Sequence, residues 1–147
     1  MAHNSERKHW LSVLAKAPPI YFHELYDQLD QVWEYDVLRA AEIGAVMVRG
    51  AMGGSGDTFN LGEMTITRCS VKLREGSVGH GYVQGRDKLK AERVAVLDAL
   101  LQTQSAPQLM AQVIGPLQDY MHKSRRDTAQ KAAATKVEFF TLVRGED

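Results

Sequence analysis

The chain has 147 residues, 44% apolar and 24% charged, with 18 Lys plus Arg against 18 Asp plus Glu. That is about one domain's worth of chain at ordinary globular composition, which excludes a disordered polymer, a collagen-like fibre and a disulfide scaffold. The balance persists in each half, 8 basic against 9 acidic residues up to Arg74 and 10 against 9 after it, so neither half carries the basic excess that duplex nucleic acid requires.

Trp10, Val13 and Leu14 recur at helical spacing behind Asn4 and Ser5, either of which can cap the first amides. Pro18 and Pro19 end that helix and suit the first turn of a second, where Leu25, Tyr26 and Leu29 repeat. The helical segment therefore covers residues 1–31. From 35 to 84 the period changes to two. Val46 and Val48 alternate with Met47 and Arg49, Met64 and Ile66 with Thr65 and Thr67, Val71 and Leu73 with Lys72 and Arg74. Short connections at Ile43 and Gly44, across Gly53 to Asp57, and at Glu75 to Ser77 predict four antiparallel strands in a meander.

After Asp87 the helical period returns with Ala91, Val94, Leu97 and Leu101 on one stripe. Leu109, Met110, Val113, Ile114 and Leu117 mark a further helix, which Gly115 and Pro116 should break or kink before it resumes to about Thr135. Residues 87–135 are thus helical. Val137 to Val143 is aromatic and β-prone, which predicts a last strand over 136–144, added to a sheet edge or donated to a partner. The expected fold is α+β in one domain over 1–147: an antiparallel four- to five-stranded meander sheet with N-terminal and C-terminal helices packed on it.

Glu6, Arg7, Lys8 and His9 stand where a secretory signal needs an apolar core. Ala99 to Gln118 is uncharged, but its glutamines and Pro107 and Pro116 disqualify it as a membrane span. Cys69 is the lone cysteine, so a reducing cytoplasm is the simplest home.

Several segments can carry chemistry. Met52-Gly-Gly-Ser-Gly-Asp57 resembles a phosphate-cradling loop, because Gly53, Gly54 and Gly56 let amides converge on an anion. The lysine and Ser/Thr of a P-loop are missing, so a flexible hairpin connection is the simpler reading. Gly79 to Lys88 ends a strand and opens a helix. There Asp87 can cap while Arg86 and Lys88 flank the positive N-terminus, an arrangement suited to phosphate oxygens; equally, Gly79, Gly81 and Gly85 can serve close packing alone. Arg39, Arg49 and Arg68 fall on successive predicted strands, where they can form an anion fork with Glu42 or Glu63 as internal partners, or ordinary cross-strand ion pairs. The five histidines lack metal-site spacing, and Cys69 reads as a small buried hydrophobe. No catalytic constellation and no metal set emerge.

The strings Val37-Leu-Arg-Ala-Ala-Glu-Ile-Gly44, Arg49-Gly-Ala-Met-Gly-Gly-Ser-Gly56, Phe59-Asn-Leu-Gly-Glu63 and Thr65-Ile-Thr-Arg68 closely resemble the PhnG family, the G subunits of the bacterial carbon–phosphorus lyase system. Tyr82-Val-Gln-Gly-Arg-Asp-Lys88, Ala91-Glu-Arg93, Asp98-Ala-Leu100, Phe139-Phe-Thr-Leu-Val-Arg-Gly145 and His9-Trp-Leu-Ser-Val-Leu-Ala15 extend the likeness to both ends. It is weakest between Gln102 and Lys136.

This resemblance implies a subunit that assembles with the H, I and J subunits and works with the L protein. In that reading the I subunit carries the nucleosidase chemistry, and G, H, I and L together replace the adenine of MgATP by a phosphonate, giving α-D-ribose 1-phosphonate 5-triphosphate. The J subunit then breaks the carbon–phosphorus bond with S-adenosylmethionine and an iron–sulfur cluster, for which this chain lacks the cysteines. The chain alone is expected to bind no cofactor and to be inactive, with MgATP a substrate of the complex and neither nucleic acid nor membrane a partner. The expected triphosphate grips are Arg39, Arg68, Arg86 and Lys88 with amides around Gly53, Gly54 and Gly56. Phe139, Phe140, Leu142 and Val143 are the expected partner-docking residues. The alternative is a free-standing anion- or nucleotide-binding module.

Overall fold

The computed structural model describes residues 4–52 and 57–144, with side-chain surroundings defined except at 51, 52, 57–60 and 137–144. Helices α1 (Asn4–Lys16) and α2 (Pro19–Asp27) precede strands β1 (Tyr35–Met52), β2 (Asp57–Leu73) and β3 (Val78–Gln84). Then come α3 (Lys88–Leu100), α4 (Ala106–Leu109), a π-helical turn (Met110–Ile114) and α5 (Gly115–Arg144).

Pro19 opens α2 without needing an amide partner, as its fixed φ dictates. Asp87 caps α3 by accepting the Lys90 amide. Sheet order is β1-β2-β3, antiparallel throughout. The architecture is α+β as expected, with three strands among the described residues in place of four or five.

Two corrections account for the difference. No turn forms at Ile43 and Gly44: Gly44 pairs with Ile66 inside the ladder, and β1 runs unbroken for 18 residues. A two-residue hairpin needs left-handed backbone, and the glycine that supplies it in this sheet is Gly76 (φ +114) in the β2–β3 turn. What β1 carries in place of a turn is irregular register between Val37 and Arg39, between Arg39 and Glu42, and between Val48 and Arg49, the mark of β-bulges. The predicted strand at 136–144 is the second correction, since α5 continues through it to Arg144. Extending an existing helix adds one backbone bond per residue fixed, whereas a strand must find an edge.

Pro116 neither breaks nor sharply ends the helix. The π-helical turn lies directly before it, with the Gly115 amide bonded to Met110 O. That wider turn accommodates the ring and missing donor of Pro116.

The core lies between sheet and helices. Cys69, Val71, Leu73 and Val83 point inward, and α3 lies on β2 and β3 with α1 and α2 also against it. Contact is intimate: a Cβ on Gly79 would sit 1.9 Å from Ala95 O, and one on Gly81 1.9 Å from Ala91 O. These two glycines bring the α3 backbone onto β3, so the packing reading of the second glycine cluster holds for them. The helix is buried around most of its circumference, more than the single stripe predicted. Strand β1 is the opposite, with no buried residue among those whose surroundings are described.

Candidate functional site

Strand alternation divides the sheet residues into two sets. Thr67, Cys69, Val71 and Leu73 face the helices, so Arg68, Ser70 and Lys72 face outward. Register partners share a face. One outward row therefore reads Arg39, Ser70, His80 across the three strands, and the next reads Glu42, Arg68, Tyr82. Arg68 stands diagonal to both Arg39 and His80, about 7–8 Å away by strand geometry. Ser70 Oγ lies 2.9 Å from His80 Nδ1. Arg39 Nε lies 3.9 Å from Glu42 Oε2 with both side chains more than half exposed, a pair worth at most about 1 kcal/mol.

The structure thus brings together two of the predicted anion-binding residues, Arg39 and Arg68. Arg49 is set apart: it faces Asn60, ten residues or about 33 Å along β1 from Arg39. Gly53, Gly54 and Gly56 lie outside the described residues, though Met52 pairs with Asp57 on either side of them.

Arg86 and Lys88 are both exposed at the start of α3. Asp87 between them turns to the protein. His23 Nε2 lies 2.8 Å from Asp87 Oδ2, and Arg93 Nη1 donates to His23 Nδ1 at 2.9 Å. Because arginine always donates, Nδ1 accepts and Nε2 carries the hydrogen given to Asp87. Arg93 also reaches Asp27 at 3.1 Å and lies 4.5 Å from the centre of the Tyr26 ring. Burial tends to raise the Asp87 carboxyl, but bonds from His23 and the Lys90 amide outweigh it and hold the group below the usual carboxylate value. Burial pushes the Tyr26 phenol up to about 12. Both nitrogens of His23 are engaged, so this network braces the α3 N-terminus.

Two charged residues that sequence reasoning passed over are the most deeply set. Asp98, fully buried, accepts from Trp10 Nε1 at 2.9 Å, from Arg7 Nη2 at 2.8 Å and from the His80 amide at 2.9 Å. It ties α1, α3 and β3 together, and it fixes the backbone of His80 from behind the sheet. Lys90, 2% exposed, donates through Nζ to Ala15 O and Ala17 O at the end of α1. Burial pulls its pKa down to about 8 against the attraction of Asp87. The Cys69 thiol is 2% exposed and pushed up by burial, then by Glu92, as fits a small core residue and not a thiolate nucleophile.

A separate open cleft of about 790 Å³ lies between the start of α1 and the α3–α4 connection, lined by Glu6, His9, Trp10, Gln102, Pro107 and Met110 among others. Among the described residues no three His, Cys, Asp or Glu side chains are placed to hold a metal ion, and no helix is long and apolar enough to cross a membrane. Phe139, Phe140, Leu142 and Val143 continue the α5 backbone, but their side chains lie outside the described set.

The geometry is thus a cationic and aromatic sheet face, suited to grip an oxyanion, on a firmly braced frame. Residues 5–145 match the family model "Phosphonate metabolism protein PhnG". The chain is 39% identical over 143 residues to the alpha-D-ribose 1-methylphosphonate 5-triphosphate synthase subunit PhnG of Rhizobium meliloti (strain 1021), covering 97% of this chain and 92% of that one. The match runs through both helical ends and the sheet between them, so the chain belongs to the PhnG family of phosphonate metabolism proteins.

Proposed function

We propose that this chain is the corresponding subunit of an α-D-ribose 1-methylphosphonate 5-triphosphate synthase, and that it supplies shape and anion contacts, with bond-breaking groups residing on its companions. The observation that carries the reading is family membership over nearly the full length at 39% identity to a named synthase subunit. Its companions are the H and I subunits with the L protein, and the J subunit completes the core assembly. The reaction exchanges the adenine of MgATP for a phosphonate at C1′ of the ribose. It takes place in the cytoplasm, and the isolated chain has no turnover.

Within that assembly the outward sheet face holds the triphosphate through Arg39 and Arg68, with Arg86 and Lys88 at the α3 N-terminus and the amides of Gly53, Gly54 and Gly56 as further donors. The exposed course of α5 from His122 to Lys136 supports a docking role for the segment beyond it, where Phe139, Phe140, Leu142 and Val143 meet the I subunit.

Two experiments on the assembled synthase test these parts. Arg68→Gln with Arg86→Gln should raise the KM for MgATP by about tenfold for each charge-assisted hydrogen bond lost while the subunits still co-purify; loss of co-purification instead would make the residues structural. Ending the chain at Lys136 should abolish co-purification with the I subunit, and undiminished recovery would remove the docking assignment.

A further inference from the structure

Resting on the anion-face reading above, we infer that the row Arg39–Ser70–His80 is a subsite for a single phosphoryl or phosphonate group, in which His80 Nε2 contacts the ligand and Ser70 positions the ring. Three strands spaced about 4.8 Å apart set the Cα atoms of Arg39 and His80 about 10 Å apart. The small Ser70 lies between them. The row therefore sets a guanidinium and an imidazole on either side of a small hydroxyl residue, and Arg68 stands diagonal to both.

His80 differs from an ordinary surface histidine by being held at two points. Its Nδ1 meets Ser70 Oγ at 2.9 Å, and its amide donates to the buried Asp98 carboxylate at 2.9 Å. Nε2 has no partner among the described residues and remains on the exposed side. Fixed donors whose geometry is set before the ligand arrives bind more tightly than mobile ones. By register His80 shares the outward face with Asp36, Arg39 and Glu42 of β1, Arg68 and Lys72 of β2 and Tyr82 of β3, with Asp98 of α3 and its partner Arg7 of α1 behind the sheet. Three cations thus stand against two carboxylates on the outward face. When the Ser70 hydroxyl donates to Nδ1, the ring hydrogen sits on Nε2, where it can be given to a phosphoryl oxygen. Glu42 is the natural competitor: it lies 3.9 Å from Arg39 and opposite Arg68, and an incoming oxyanion takes over its place.

Calorimetric titration of the full chain with inorganic tripolyphosphate, and separately with methylphosphonate, tests the subsite and tells which source of the group it takes. Wild type should bind the anion about fivefold more tightly than His80→Gln, as one hydrogen bond to the group is lost. Ser70→Ala should weaken binding by freeing the ring while leaving the melting temperature unchanged, and Glu42→Gln should tighten binding. Binding of either anion in this pattern supports the subsite. An H80Q protein that matches wild type overturns it, as does a wild type that binds neither anion. If R68Q with R86Q raises the KM for MgATP in the assembled synthase while H80Q changes nothing, the subsite falls and the synthase reading stands; if neither does, the anion-face reading falls with it.

Discussion

From Val94 to Leu101 every residue of α3 and its end is buried, whereas from His122 to Lys136 every residue of α5 is exposed. The two helices share a backbone geometry and differ in what surrounds them. In α3 even the charged residues Lys90 and Asp98 are enclosed, each with several hydrogen-bond partners, so the helix locks sheet, α1 and α2 into one frame. In distal α5 the sequence carries five Lys or Arg and one Asp between His122 and Lys136, on a stretch exposed throughout. Helices in proteins draw most of their stability from packing an apolar face, more than from propensity. The contrast separates a helix enclosed by the frame from one exposed along its distal half.

Substitutions in the frame should have the largest effects. Asp98→Ala leaves Trp10 Nε1, the His80 amide and Arg7 without their shared acceptor, and should cost about 3–5 kcal/mol in urea unfolding. Gly81→Ala drives a methyl group into Ala91 O and should cost about 3 kcal/mol. A loss under about 0.5 kcal/mol in either would mean that α3 does not rest on β3 as described.

Lys90 sharpens the comparison through its pH dependence. Its pKa falls to about 8 from 10.5 because burial disfavours the charge. The native state therefore sheds this proton first, and between those two values the unfolded chain binds more protons. Stability of the wild type relative to Lys90→Met should rise with pH across that window. A flat or falling difference would contradict the enclosed amine. The smallest effect belongs to the arm: Ala133→Gly should weaken the local helix by about 1 kcal/mol in helical propensity, seen as faster hydrogen exchange there, with the global melting temperature unchanged. A matching drop in melting temperature would show that the arm is part of the frame.

The helices and the β2–β3 hairpin were legible because their signals are local. The turn at Glu75 to Ser77, once placed, sets Ser70 opposite His80 by simple counting, and so the pairing of those two side chains was within reach of the sequence. Arg39 was not. Its position opposite Ser70 depends on two irregularities in β1, and a bulge leaves no pattern that distinguishes it from the turn expected at Gly44. Asp98 and Lys90 were hidden for another reason: a charged residue on a helical stripe reads as solvent-facing, and only the chain passing on every side makes it interior. The terminal segment misled because β propensity at Val137 to Val143 is intrinsic, while the helix running into it is context.

The central claim is that this subunit contributes contacts while its companions carry out the chemistry. It is tested most directly by incubating the purified full-length chain with MgATP and methylphosphonate, beside the same chain assembled with the H, I and L proteins, and measuring released adenine. The account predicts adenine from the assembly and none above background from the chain alone; adenine released at a comparable rate by the isolated chain would contradict it.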